Sequence, residues 1–321
     1  MGCKCLGQIT DLDFLTSKNN NNINNIQNLI PGDEELEEVL SYPPRLILAI
    51  KNKLKKYCLN EPKFFQIKEN EFLEILNRNE FAPEIIRLFS DELKNIDYEL
   101  NIPYKDMPPI KILDSEGGIQ YYKGGFTNKG YCEGKGIWIK DFNIYIGNFQ
   151  NDEFNGTGLF INEQGNYYFG EWKNNKCSGN GSIIIKGQLN YEGQFKNGKK
   201  EGYGEEKYQD GEIYKGQFSD GQKNGKGVYF FSEGTKYEGN FKNSKFEGYG
   251  EISCVNGNKI KGEFRNGKLN GKVDFTWNDG TKFVGNFVND KKSGEGTYIN
   301  YKGKYMTKNW DEAPFYNISN L

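Results

Sequence analysis

Tyr191-Glu192-Gly193-Gln194-Phe195-Lys196-Asn197-Gly198, followed by Gly202-Tyr203-Gly204, decides the fold, because the same pattern returns every 23 residues along more than half of the 321-residue chain. The opening position recurs as Tyr122, Tyr145, Tyr168, Tyr191, Tyr214, Tyr237, Ile260 and Phe283. Two places on stand Gly124, Gly147, Gly170, Gly193, Gly216, Gly239, Gly262 and Gly285. Two further on come Phe126, Phe149, Trp172, Phe195, Phe218, Phe241, Phe264 and Phe287. Residues spaced by two share one face of a strand, so ring, glycine and ring lie together while polar neighbours such as Glu192 and Gln194 face the other side. Asn197-Gly198, Asp220-Gly221 and Asn266-Gly267 favour the positive φ of a tight reversal, and each Gly-X-Gly pair then opens a second strand. The glycines of each pair are expected to leave room for neighbouring rings.

These residues resemble the MORN repeat (membrane occupation and recognition nexus), whose pattern is Tyr-X-Gly-X-Phe/Trp, Asn-Gly, Gly-X-Gly. The resemblance covers eight units over residues 120–298 and implies an elongated single antiparallel sheet of stacked hairpins. Sixteen strands at about 4.8 Å each predict a rod of roughly 75 Å. Two units depart from the pattern: the first has one extra residue before Gly134 and Gly136, and the seventh has Ile260 for Tyr and Val273 for the second glycine. Both are expected to pack differently. At the far end, residues 299–321 include Tyr301-Lys302-Gly303-Lys304-Tyr305, an out-of-phase copy read as a closing strand and cap.

Ahead of the repeats, residues 33–113 change to helical periodicity, with Asp33 as a first N-cap and Leu46, Ile50, Leu54 and Tyr57 on one face of a second helix. A third helix contains Phe72, Leu73, Ile75 and Leu76, and a fourth begins near Pro83. The fold class is therefore α+β, a small helical bundle followed by the repeat sheet. Residues 1–32, with Asn19–Asn22, lack the apolar content for a core and read as a tether. Its start, Met1-Gly2-Cys3-Lys4-Cys5, resembles a dual-acylation signal, with myristate on Gly2 and palmitate on Cys3 or Cys5, although Leu6 stands where that pattern has Ser or Thr. This implies the cytoplasmic face of a membrane, with a cytoskeletal or ciliary location as the alternative.

No histidine occurs, which removes Ser-His-Asp and Cys-His nucleophile systems and the usual zinc sites. Gly-X-Gly never continues into a dinucleotide or phosphate-loop motif. Asn95, Asp97, Glu99, Ile102 and Asp106 weakly resemble an EF-hand loop, but Leu100 occupies the place that needs glycine, so no metal is expected. We therefore expect no cofactor and no catalysis. Residues 1–119 carry 14 Lys and Arg against 20 Asp and Glu, whereas residues 120–305 carry 27 against 22, so the basic array suits an acidic partner or the acidic preface. Dense arginine is missing, which disfavours nucleic acid. A basic ladder after the turns, comprising Lys176, Lys199, Lys200, Lys223, Lys245, Lys268, Lys291 and Lys292, is the candidate site for anionic lipid or an acidic protein. The family resemblance adds a homodimer through the repeats, or a regulatory role beside a separate lipid kinase.

Overall fold

A computed structural model describes residues 42–55, 63–94, 107–113 and 118–309, which fall into two compact units divided between Lys186 and Gly187. All 19 strands pair antiparallel. In the first unit α1 (Pro44–Lys55), β1 (Lys63–Gln66), α2 (Glu69–Leu76), α3 (Ala82–Leu88) and α4 (Ser90–Lys94) precede β2 (Ile110–Leu113) and β3 (Ile119–Phe126). Then follow β4 (Cys132–Lys140), β5 (Asn143–Gln150), β6 (Glu153–Ile161), β7 (Tyr167–Lys173) and β8 (Lys176–Ile185), each paired with the next. The helical stretch thus also holds two short strands that the periodicity did not reveal. β1 pairs with β2 and β2 with β3, so they extend the repeat sheet at its first edge.

The second unit is a meander of β9 (Leu189–Lys196), β10 (Lys199–Tyr208), β11 (Ile213–Ser219), β12 (Gln222–Phe230), β13 (Lys236–Lys242) and β14 (Lys245–Ser253). It continues through β15 (Lys259–Arg265), β16 (Lys268–Thr276), β17 (Lys282–Val288), β18 (Lys291–Ile299) and β19 (Tyr305–Asn309). The closing strand is a correction: Tyr301–Gly303 forms a turn, and β19 starts at Tyr305. Met306 pairs with Tyr298 as Tyr237 pairs with Tyr229, so the 23-residue phase prevails over the out-of-phase copy.

One unit shows why the pattern folds. Tyr191 is buried, and its ring lies flat over Gly193 on its own strand and Gly204 on the next, where an added Cβ would come within 2.6 Å of the ring or its hydroxyl. The hydroxyl donates to the Gln194 carbonyl at 3.0 Å, and Tyr122, Tyr145, Tyr168, Tyr214 and Tyr237 make the same bond three residues ahead. This bond gives a reason for tyrosine over phenylalanine that the spacing alone does not contain. Phe195 and Phe218 meet the Tyr191 ring edge-on at 5.2 Å, and each such pair contributes about 0.5–1.5 kcal/mol beyond burial.

Turns behave as read: Asn197 and Gly198 have φ of 52° and 83°, the signature of a type I′ hairpin. Turns also bond to one another, as where the Gly221 amide donates to the Lys200 carbonyl at 2.9 Å. The Gly-X-Gly pair needs a correction, because only its second glycine makes room for a ring. Gly202 instead sits in a β-bulge at φ 69°, and the Gln194 side chain accepts the Tyr203 amide at 3.0 Å.

Both departing units pack differently, as expected. In the seventh, Ile260 and Val273 fill the space a tyrosine ring takes elsewhere, and Val273 Cγ2 would lie 2.8 Å from a Cβ on Gly262. In the first, the extra residue forms the Thr127–Tyr131 loop, on whose Gly130 the backbone of α1 rests.

Helix α1 does not join a bundle. Leu46 and Ile50 are buried, Tyr42 meets Phe126 at 6.1 Å, and Lys53 forms a buried ion pair with Asp152 at 2.8 Å. Helices α2 to α4 cover the opposite face of the first unit, where Phe72, Ile75, Ile85 and Leu93 pack on Ile139, Ile144, Ile146, Leu159 and Ile161. Alternation alone puts polar neighbours such as Glu192 and Gln194 on that face. The signal for the difference lies in the runs Ile137-Trp138-Ile139, Ile144-Tyr145-Ile146 and Tyr167-Tyr168-Phe169, which are apolar without alternation, as strands buried on both faces are.

Candidate functional site

The basic ladder divides between the two faces of the sheet. Lys176, Lys199, Lys245, Lys268 and Lys291 are exposed and stand directly after the turns. Lys200, Lys223 and Lys292 pair with Phe195, Phe218 and Phe287, which turns them onto the ring face. There they fill the slot in which Phe154 stacks on Tyr145 at 3.6 Å and Phe246 on Tyr237 at 3.8 Å. Lys200 Nζ sits 4.8 Å from the Tyr191 ring centre, Lys223 Nζ 5.3 Å from that of Tyr214, and Lys292 Nζ 4.2 Å from that of Phe283. These three lysines therefore do not belong to the exposed row.

Their chemistry is internal. Glu206, 5% exposed, takes the place of an apolar residue between Tyr191 and Tyr214 and pairs with both Lys200 and Lys223. Burial disfavours its ionised form, but the two ammonium groups and the Tyr208 hydroxyl outweigh that and hold its carboxyl below the usual range. The network closes where Lys223 Nζ donates to the Tyr208 hydroxyl at 2.6 Å. It joins β10 to β12, and both ammonium groups in it have Glu206 as partner.

On the exposed face of the second unit stands a second basic column that the sequence spacing does not include, and the first unit carries one pair of the same kind. Across the two-residue turns Lys173 pairs with Lys176, Lys196 with Lys199, Lys242 with Lys245 and Arg265 with Lys268. All eight side chains are exposed. Direct like-charge opposition destabilises a hairpin, so this placement works against folding. Acidic neighbours stand close by: Asp220 lies 3.3 Å from Lys199 Nζ, and Glu201 and Glu247 accept the Asp220 and Asn266 amides.

Gly2, Cys3 and Cys5, the tether and the EF-hand-like stretch lie outside the described residues. Among the described residues Cys132, Cys177 and Cys254 are buried free thiols, no group of carboxylates and thiols is placed to hold a metal, and no helix is long and apolar enough to cross a membrane. Burial pushes the Cys132 and Cys177 thiols up, which fits packing rather than nucleophilic use.

Comparison with known proteins bears on the repeat. No curated protein matches the chain. Among solved structures it is similar to the TCP domain of SAS-4 (dCPAP) of Drosophila melanogaster, in complex with a proline-rich motif of Ana2 (dSTIL). That match has 15% identity, 47% of this chain, 83% of that one and a TM-score of 0.32. It is also similar to the TCP10 domain of Danio rerio CPAP in complex with a STIL peptide, at 10% identity, 63% and 99% coverage and a TM-score of 0.30. At these scores the likeness carries no inference about function. The MORN repeat family matches residues 145–167, 168–184, 191–213, 214–236, 237–259, 261–282 and 283–305, in phase with the ring and glycine period. With seven matched repeats built as the hairpins described above, the chain is a MORN-repeat protein, and such repeats are in general non-catalytic binding modules.

Proposed function

We propose that the chain is a non-catalytic, membrane-associated scaffold that holds protein partners or an anionic phospholipid surface through its repeat sheet. The observation that carries this reading is the doubled basic column at the hairpin turns. Lys196 and Lys199, Lys242 and Lys245, and Arg265 and Lys268 oppose like charges at a cost to folding, which selection for folding alone would remove. The Lys242–Lys245 and Arg265–Lys268 turns are neighbours at roughly 10 Å, comparable with the Debye length near physiological salt, so their fields add toward an anionic surface, while Ser219 and Gln222 at the intervening turn set Lys196–Lys199 apart from them. Acylation at Gly2 with Cys3 or Cys5 would supply the firm anchor on the cytoplasmic face, and the column the orientation.

Flotation with phosphatidylserine-containing vesicles tests this. The parent is compared, at low and high salt, with Gly2→Ala, Cys3→Ser, Cys5→Ser and with Lys199→Glu, Lys245→Glu, Lys268→Glu. Acylated parent is expected to float at both salts, the acylation variant at low salt only, and the lysine variant to bind more weakly without acylation. If no form floats, the reading fails, and a soluble structural subunit of a cytoskeletal or ciliary assembly takes its place.

A further inference from the structure

The face opposite the rings holds a second feature in the second unit. Tyr203, Lys226 and Tyr249 occupy the middle place of three successive Gly-X-Gly pairs, on β10, β12 and β14. Gly204 turns its missing side chain toward the Tyr191 ring, so Tyr203 beside it points to the other face. Both tyrosines are unusually open for mid-sheet aromatics, at 60% and 61% exposure. Between them lies a hollow of about 380 Å³ that Gly216, Gly227 and Val228 help to line. Neighbouring charges are satisfied: Lys215 pairs with Glu205 at 3.0 Å and Lys236 with Glu238 at 2.9 Å. Lys226 is exposed and its ammonium forms no ion pair among the described residues.

Spacing selects the occupant. Equivalent places in successive repeats are two strands apart, about 9.6 Å at the usual strand separation. A polyproline II helix has three residues per turn at 3.1 Å each, so it advances about 9.3 Å per turn. Such a segment laid across the strands stays in step with the repeat, presenting the same edge to Tyr203, Lys226 and Tyr249 one after another. Six of its residues span about 19 Å, the separation of the two tyrosines on this count. An α-helix advances 5.4 Å per turn and a strand repeats each face at about 6.8 Å, and neither keeps this register. Flat aromatic rings pack on proline rings, which lose little entropy on binding. We infer that the Tyr203–Lys226–Tyr249 row binds a proline-rich partner segment in polyproline II form, with proline rings against the tyrosines and an acidic residue three positions from each, opposite Lys226. This deepens the scaffold reading by naming a partner class and its site, and it makes no use of the basic turns.

Fluorescence anisotropy of the full chain with a labelled Pro-Pro-Pro-Pro-Glu-Pro-Pro-Pro-Pro peptide tests it. Comparison peptides carry Lys for Glu, or Gly at alternate prolines. Saturable binding of the Glu peptide is expected, weakened at least tenfold by Tyr203→Ala or Tyr249→Ala with the melting temperature unchanged. Lys226→Glu, at an open site where folding is not at stake, is expected to invert the preference toward the Lys peptide. Absence of saturable binding at millimolar protein overturns the proposal, as does equal binding of the glycine peptide or no inversion with Lys226→Glu. Loss of vesicle flotation in the tyrosine variants would make the row a lipid contact, and a Tyr203-dependent dimer in sedimentation would make it a contact between copies; either overturns it. Failure with the peptide while flotation still depends on Lys199, Lys245 and Lys268 removes the groove and leaves the scaffold reading standing.

Discussion

At the scale of single residues, the tyrosine that opens each repeat does three things: it fills the space over two glycines, bonds a carbonyl on its own strand, and meets the next ring edge-on. The seventh repeat shows that these are coupled. Ile260 lacks the hydroxyl and the flat ring, and Val273 supplies the volume that a glycine would leave empty. Ile260→Tyr alone is expected to overpack against Val273, at about 1–3 kcal/mol. Val273→Gly alone opens a cavity and loosens β16, at roughly 2–4 kcal/mol. Together they rebuild the regular repeat, so the double variant should be far more stable than the sum of the two, which urea unfolding of all four forms measures. Additive losses would show that the ring and the glycine are not a unit.

At the scale of elements, a buried ion pair helps to hold α1 among its apolar contacts. Lys53 Nζ reaches Asp152 Oδ1 at 2.8 Å, and the same oxygen accepts the Cys132 amide at 2.8 Å, so one carboxylate ties the helix to the turns of the first two repeats. Removing one partner of a buried pair strands the other charge. Lys53→Met is expected to cost on the order of 3 kcal/mol. Hydrogen exchange localises the effect: amides of α1 should lose protection while those of β9 to β19 keep theirs, and uniform loss would contradict the assignment. α2 to α4 are held differently, by burial against both-face-apolar strands, with Asn79 the polar fixture. Its side chain donates to the Phe142 and Asn162 carbonyls and accepts the Ala82 amide at the start of α3.

At the scale of the whole molecule, the same buried hydroxyl recurs through both units, and pH acts on all copies together. Burial disfavours the phenolate and pushes the pKa of Tyr122, Tyr145, Tyr168, Tyr191, Tyr214 and Tyr237 up. A folded-state pKa above the unfolded one gives stability that is complete below about pH 10 and declines as pH rises beyond it. The chain is therefore expected to unfold in alkali, with the phenolate absorbance of these tyrosines appearing in one step together with loss of far-ultraviolet circular dichroism. Independent, gradual ionisation while the sheet persists would contradict this. Glu206 has the opposite sign: its lowered pKa stabilises above about pH 4.3, and that contribution is lost as pH falls below it.

Much of this fold is legible in sequence because a 23-residue period in rings and glycines specifies strand, turn and face at once, and each repeat contacts its neighbours in the same way. The type I′ turns at Asn197-Gly198 and Asp220-Gly221 and the shared ring face follow from local sterics and alternation alone. The short strands β1 and β2 are invisible at that level, since four residues such as Lys63–Gln66 show no period and become a strand only beside a waiting sheet edge. The exposed basic column was half legible: Lys199 was evident as a turn residue, while its opposition to Lys196 depends on pairing. By itself the sequence determined the repeat, its register and its ring face, because these rest on contacts within a few residues or one period. Only the tertiary structure decided which face each lysine takes, why Glu206 tolerates burial and where the helices dock, because each depends on groups brought together from distant parts of the chain.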